Sequence, residues 1–381
     1  MDQSPNPNKR ESYRKHSKLQ LHRNNAFTNT GTPRGGNKLL RIIGLLVACV
    51  LAVGLGYASH MYFSINSAVD GSGTKNSATS AKIAAKKPIS VLILGVDQGI
   101  EGRHDQGNSD TLILATANPQ TGKSTLTSIP RDTLADIRGD SGKYFMYRIN
   151  SAYEVGGSKA SVKTVSTLLD VPINYYVEVN MKALKELVDA VGGVTVKVPF
   201  SFSYDWCDFK KGYQHLNGRH AVAYSRMRKE DPRGDYGRQL RQRQIIQAVV
   251  KKALNVNTLA NYRKLVTIFQ KYVTTNMSFG DMLSLALNYR AAAKNLKSNY
   301  IQGHDAWIDG ASIQVASTSE LQKKSNMIRK NLGLSTVSLS NEETRQNSLN
   351  ESKNNVDFSD ANAFTNYKIY DDYGNVTSLL N

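Results

Sequence analysis

Ile89-Ser-Val-Leu-Ile-Leu-Gly-Val-Asp97 is a short apolar run that ends in glycine and aspartate. That is the pattern of a buried strand feeding a functional loop. Two further β-type runs follow, Thr111-Leu-Ile-Leu-Ala-Thr-Ala117 and Ser124-Thr-Leu-Thr-Ser-Ile129. Asn118-Pro-Gln-Thr-Gly-Lys123 lies between them, and its turn residues predict a hairpin. Downstream, helical periodicity at 158–169, 182–191, 237–254, 259–273 and 279–295 interleaves with strand-like runs at 175–180 and 194–198. This alternation predicts an α/β/α-type sandwich with a mixed central sheet.

Polar residues gather at the ends of the first three strands. Asp97 follows the first, Asp110 opens the second in Asn108-Ser-Asp-Thr-Leu112, and Arg131 follows the third in Ile129-Pro-Arg-Asp-Thr133. If the strands are neighbours, two carboxylates and an arginine meet at one rim. Two aspartates with open positions suit magnesium, which takes few protein ligands and leaves room for phosphate oxygens. Taken singly, each aspartate reads equally well as a cap of a turn or helix. Thr121-Gly-Lys-Ser124 looks like the end of a phosphate-binding loop, but the first glycine of that pattern would fall at Ala117. The residues after Ser124 form a strand-like run rather than a helix, so the segment is read as a turn.

A second polar concentration is Tyr224-Ser-Arg-Met-Arg-Lys-Glu-Asp-Pro-Arg-Gly-Asp-Tyr-Gly-Arg-Gln-Leu-Arg-Gln-Arg-Gln244. Arg226, Arg228, Arg233, Arg238, Arg241 and Arg243 surround Pro232, Gly234 and Gly237. A charge run is ordinarily a solvated helix face. Here proline and glycines break the helix into a shaped loop, and a planar guanidinium can grip phosphate with two parallel hydrogen bonds. An anion site is the expectation.

Position along the chain decides which anion. Residues 1–38 form a basic tail, and no charge occurs from 42 to 63. At ~1.5 Å per residue that uncharged run is about 33 Å long, enough to cross a hydrocarbon core of ~30 Å. Residues 39–63 are therefore read as a single transmembrane helix preceded by a positive flank. This puts the N-terminus in the cytoplasm and the C-terminal domain outside, at the cell membrane. A cleaved signal peptide fits less well, because both the apolar and the basic regions are too long. Residues 64–87 read as a flexible linker, 88–334 as the extracytoplasmic domain, and 335–381, rich in Asn, Ser and Asp, as a largely disordered tail. Cys49 falls inside the bilayer and Cys207 outside it, so the two cannot pair. The net charge of +18 calls for anionic partners. No nucleic acid is expected, because the arginine loop lies beyond the membrane span.

In combination, Ile93-Leu-Gly-Val-Asp97, Ser109-Asp-Thr-Leu112, Ile129-Pro-Arg-Asp-Thr133, Ile149-Asn-Ser-Ala-Tyr153, Tyr224-Ser-Arg-Met-Arg228 and Asp235-Tyr-Gly-Arg-Gln239 resemble the LytR–CpsA–Psr family. The resemblance covers about residues 88–254 in the right order. It implies a membrane-anchored phosphotransferase of Gram-positive walls. Such an enzyme moves a teichoic acid, capsule or other secondary polysaccharide from a polyprenyl pyrophosphate carrier to a muramic acid hydroxyl of peptidoglycan. It further implies that Asp97 and Asp110 hold Mg2+ and that Arg131, Arg226, Arg228, Arg238 and Gln242 contact the pyrophosphate. Arg148 stands where the family has lysine and joins that set; Asn108 stands where it has arginine, with Arg103 nearby as a substitute charge. Arg131, Asp235 and Arg238 are the expected catalytic residues, Asp235 as base or as the group that orients an arginine.

After Gln242, the residues Ile245, Ile246, Val249 and Ala253 continue along nearly the same helical stripe as Arg238. A polar head leading to an apolar stripe suits a pyrophosphate on an isoprenoid, and equally suits an ordinary core-facing helix. Two other readings use the same residues: a non-catalytic polyprenyl-phosphate binder that scaffolds wall assembly, and a hydrolase of the pyrophosphate lipid.

Overall fold

The structure, a computed structural model, describes residues 82–83, 85–96, 107–139, 144–253, 272–277, 281, 285, 288–360 and 366–379. The tail at 1–38, the apolar segment 39–63, Asp97, Arg103 and most of the helix expected at 259–273 lie outside the described residues. Among the described residues no helix is long and apolar enough to cross a membrane.

The centre is a six-stranded mixed sheet. Its strands are β1 (Ile89–Val96), β2 (Ser109–Asn118), β3 (Lys123–Ile129), β6 (Tyr175–Asn180), β11 (Val273–Thr275) and β12 (Leu296–Tyr300), in the order β11-β6-β1-β2-β3-β12. β1 runs antiparallel to β2 and parallel to β6, and β3 runs antiparallel to β2 and parallel to β12. Val273, expected to end a helix, instead opens β11 against Val179 on the edge of β6. The 121–124 segment is the β2–β3 turn, with Gly122 at φ +65 and Asn118 Oδ1 accepting from the Gln120 and Thr121 amides.

Period-two alternation gives the sheet two buried faces. Leu92, Leu94, Leu112, Leu114 and Ile129 pack against Val165 and Leu168 of α1 (Ser151–Leu169) and Leu321 and Ile328 of α6 (Thr318–Asn331). The opposite face carries Ile89 and Tyr175, which meet Ile83 and Tyr289, the residue before α5 (Arg290–Lys294). Helix α4 (Gly234–Ala253) crosses that second face, where Arg243 reaches Ser128 on β3 and Ser298 on β12 at 2.6 Å each. α1 begins earlier than its periodicity suggests, because Gly156 and Gly157 interrupt it with non-helical backbone.

A second core lies under α2 (Met181–Ala190), α3 (Gly218–Arg226) and α4. The ribbons β7 (Val194–Val198) with β10 (Gly212–Leu216) and β8 (Phe202–Tyr204) with β9 (Cys207–Phe209) close it. Cys207 is buried there as a free thiol, and burial raises its pKa. β4 (Leu134–Arg138) and β5 (Tyr144–Arg148) form a hairpin leading away from Arg131, beside the hairpin β13 (His304–Ile308) and β14 (Ala311–Val315).

Both domain limits read from composition need correction. Ile83 is fully buried, so the fold starts before residue 88. Residues 335–379 are not a disordered tail: they hold α7 (Glu342–Asn354) and a hairpin of β15 (Ile369–Tyr370) with β16 (Val376–Thr377). The amide side chains that suggested disorder are what order it. Gln346 bonds both the carbonyl and the amide of Tyr370, Asn350 does the same for Lys368, and Asn347 joins Ala316 O to the Tyr367 hydroxyl. Val356, Tyr367, Ile369 and Leu379 then complete a third core with Ile313 and Val315.

Glu343 of α7 is buried and accepts from the Asp136 amide at 2.8 Å, with Oε2 left unpartnered. Burial pushes its carboxyl up from 4.5 to about 7, against the pull of that hydrogen bond. The folded chain thus keeps a proton that the unfolded chain releases, so stability falls as pH rises between those values. Glu343→Gln is expected to stabilise the fold at about pH 8 by roughly 3 kcal/mol, raising the melting midpoint there, and to change little near pH ~4.5. Calorimetry at the two pH values checks this; an equal shift at both would contradict it.

Candidate anion-binding site

The sheet brings Asp110 and Arg131 together at one rim, and Asp97 lies outside the described residues. β1 ends at Val96, which pairs with Ser109, and Leu112 pairs with Ile129, so Asp110 and Arg131 are neighbours across β2 and β3. Arg131 Nη1 donates to Asp110 Oδ1 at 2.6 Å, with the two side chains 23% and 29% exposed. Asp132, a residue that sequence reasoning passed over, links the next charge: its carboxylate lies 3.6 Å from Arg131 Nε and 3.7 Å from Arg148 Nε. Arg148 closes the base of the β4–β5 hairpin opposite Leu134 and donates to Ser312 O at 3.0 Å.

The start of α4 faces the same rim. Asp235 pairs with Arg238 at 2.6 Å and accepts from Gln239 Nε2 at 2.7 Å. The Asp235–Arg238 contact is an ion pair without hydrogen-bond alignment, so Asp235 Oδ1 and Arg238 Nε have no hydrogen-bond partner. Arg131 Nε, 3.6 Å from Asp132, and Ser109 Oγ also have no hydrogen-bond partner. Burial lowers the Arg131 guanidinium pKa, but the hydrogen bond and charge of Asp110, with Asp132 and Asp235, outweigh it and raise it overall. For Arg238 burial dominates and lowers it, with Arg131 and Arg228 adding repulsion against the attraction of Asp235. Tyr236, next to Asp235, donates to Gln314 Oε1, and the Gln314 amide donates to Asp132 O, so the start of α4 lies against the rim of Asp110 and Arg131. Cations with unused donors beside one another form a receptor for a polyanion, because such an anion satisfies the buried N–H groups and relieves the repulsion.

The six arginines of the basic run divide by role. Arg241 is fully buried, hydrogen-bonded to Asp231 and to the carbonyls of Met227 and Tyr224, and lies over the rings of Phe202 and Tyr224. Arg243 is buried against the sheet, and burial lowers it to about 10. Arg233 pairs with Asp231. These three build the loop, whereas Arg226 and Arg228 take no part in that bracing and Arg238 pairs with Asp235. Arg226 and Arg228 are exposed, at the end of α3 and just after it. Asp231 is the signal that sequence reading missed: one carboxylate anchors two of the arginines, and Gly237 packs against it where a Cβ would collide.

Gln242 is half-buried one turn beyond Arg238. Ile245 is 1% exposed within the second core, Val249 packs against that core and Ile246 is half-buried; the side chain of Ala253 lies outside the described residues. Asn108 is exposed just before β2. Among the described residues no group of three or more His, Cys, Asp or Glu could hold a metal ion.

The LytR_cpsA_psr family profile matches residues 58–330. A relative from Enterococcus faecalis, named polyisoprenyl-teichoic acid–peptidoglycan teichoic acid transferase TagU, is 40% identical over 301 residues, covering 78% of this chain and 98% of its own. The crystal structure of Bacillus subtilis TagU superposes with a TM-score of 0.53 at 38% identity, over 66% of this chain and 100% of that one. A structure of TagT bound to LIIa-WTA gives 0.56 at 26% identity, over 69% and 95%.

Proposed function

The chain belongs to the LytR–CpsA–Psr family, and from that premise we propose that it transfers a teichoic-acid-class glycopolymer from a polyisoprenyl pyrophosphate carrier to peptidoglycan. The observation that carries this is the meeting of Arg131, Arg238 and Asp110 at one rim with buried guanidinium donors unsatisfied. The muramic acid hydroxyl attacks the phosphorus that bears the glycan, a new P–O bond forms as the P–O–P anhydride bond breaks, and polyprenyl phosphate leaves with the hydroxyl proton. Phosphoryl transfer asks a protein mainly to position groups and neutralise charge.

Arg131 and Arg238 hold the non-bridging oxygens, with Arg228, Arg226 and Gln242 at the outer edge. Arg148 is kept in place by Asp132 and Ser312 O. Asp235, engaged by Arg238 and Gln239, orients the arginine instead of serving as a base. Magnesium is part of this proposal. Asp110 spends one oxygen on Arg131 and stays partly exposed, and Asp97 follows β1 directly in sequence, so two carboxylates would hold the ion and leave positions for phosphate oxygens. When bound, the ion would neutralise pyrophosphate charge. Residues 39–63 hold the chain in the membrane that carries the lipid substrate.

Incubation of the full chain with a carrier-linked fluorescent oligosaccharide and uncrosslinked peptidoglycan should move label into the insoluble wall fraction; label that stays soluble refutes transfer. The isoprenoid follows the apolar side of α4 beyond Gln242. Val249→Arg should therefore weaken polyprenyl phosphate binding about tenfold, because a charge would have to be desolvated against the chain. Titration of the detergent-solubilised protein with a fluorescent polyprenyl phosphate reads this, and unchanged affinity would remove the lipid from that helix.

A further inference from the structure

The β8–β9 hairpin has a feature that the anion site does not use. Its inward residues Phe202, Cys207 and Phe209 share the second core with Ile245 of α4. Its tip is Asp205-Trp206, with φ of 50° and 59°. Two consecutive left-handed residues match the twist of a tight hairpin, and glycine, asparagine and aspartate suit them. A bulky residue there is an outlier with an energetic cost. Trp206 occupies the position and is 96% exposed, so its indole gains almost no packing from its own chain. At the base of the hairpin, past Phe209, Lys210 and Lys211 are exposed, and on the adjoining ribbon Tyr213, 80% exposed, stands in register with exposed Lys197.

An exposed indole at the tip, and an exposed phenol and three lysines farther along the same pair of ribbons, have the chemistry of a bilayer interface, where aromatic rings sit at headgroup level and lysines meet anionic lipid. Asp205 and Asp208 offset part of the charge, so the contact is weak in isolation. The chain itself supplies the surface. The uncharged segment ends at Phe63 and the described fold begins at Lys82. Residues 64–81 span at most about 60 Å when fully extended. A surface within that reach is met at roughly millimolar effective concentration, at which a weak contact is populated.

We infer that the Trp206 hairpin, with Tyr213, Lys197, Lys210 and Lys211, docks the folded domain on the anionic outer face of the bilayer that anchors the chain. The inference rests on residues 39–63 as the anchor. It deepens the proposed function by turning the core that packs on α4 toward the leaflet in which the carrier lipid resides.

The chain has two tryptophans, so Trp307→Phe leaves Trp206 as the sole reporter. This full-length variant is placed in vesicles of phosphatidylglycerol and phosphatidylcholine, with and without brominated acyl chains. Trp206 emission should shift to shorter wavelength and be quenched by roughly half in the brominated vesicles. Adding Lys210→Glu and Lys211→Glu should relieve that quenching. Water-like, unquenched emission overturns the inference, as does a chain that fails to float with vesicles. A blue shift seen only on adding soluble peptidoglycan fragments would assign the surface to a glycan instead. Transfer measured in detergent separates the two readings: activity without quenching defeats docking alone, and quenching without activity defeats the transferase alone.

Discussion

Replacing Arg131 with alanine should lower kcat for transfer by roughly 10²–10³-fold, the usual cost of one preorganised donor aimed at charge that grows in the transition state. The surroundings of the guanidinium are the reason. Arg131 is held by Asp110 through Nη1, steered by Asp132, and keeps a buried Nε without a hydrogen-bond partner. It is thus fixed before the substrate arrives, and its unused donor has no cheaper partner. KM for the carrier lipid should change far less, because Arg228, Arg238 and the apolar side of α4 remain. Arg131→Lys keeps the charge but loses the fork and should recover only a small part of the rate. Steady-state kinetics of both variants check this. A rise in KM with kcat intact would make Arg131 a binding residue only.

The largest stability effect is expected at Arg241. It has no exposed side-chain surface, and its guanidinium is shared among Asp231, Tyr224 O and Met227 O. Arg241→Ala leaves the Asp231 carboxylate buried with only Arg233 and strips two carbonyls of their donor. The cost of breaking such a pair from one side is about 3–5 kcal/mol. At roughly 2–4 °C per kcal/mol for a domain of this size, the melting midpoint should fall by about 10 °C. The loop that carries Arg226 and Arg228 should open first. Replacing both partners, as in Arg241→Met with Asp231→Leu, should recover much of the loss, because no unpaired buried charge remains. A midpoint shift below about 2 °C for Arg241→Ala would show that the pair is solvated and does not brace the loop.

Legibility differed by element for physical reasons. β1, β2, β3, β6 and β7 were readable because each is a short apolar or alternating run bounded by turn residues, and the rim placing Asp110 beside Arg131 followed from their antiparallel order. The division of the arginines was not readable. Arg238 and Arg241 look equivalent in sequence, and only Asp231, folded beneath Gly237, decides that Arg241 turns inward. Asp132 was overlooked beside Arg131, although balancing charge within Pro130-Arg-Asp-Thr133 would have pointed to it. The C-terminal segment misled because composition takes asparagine and glutamine as solvent-facing. In α7 they bond the backbone of 367–370 as a neighbouring strand would. The third core that they support packs against β14, whose Ser312 and Gln314 touch Arg148 and Tyr236 at the edge of the site.

The central claim is that a phosphorus bearing the glycan passes intact to a muramic acid oxygen. Mass spectrometry of a muramidase digest tests it most directly, after the full chain has reacted with magnesium, carrier-linked oligosaccharide and uncrosslinked peptidoglycan. A glycan–phosphate–muramic acid ion, absent with Asp110→Ala and Arg131→Ala, is the predicted result. Glycan phosphate released into solution, with unmodified muramic acid, would contradict it and make the protein a hydrolase of the carrier lipid.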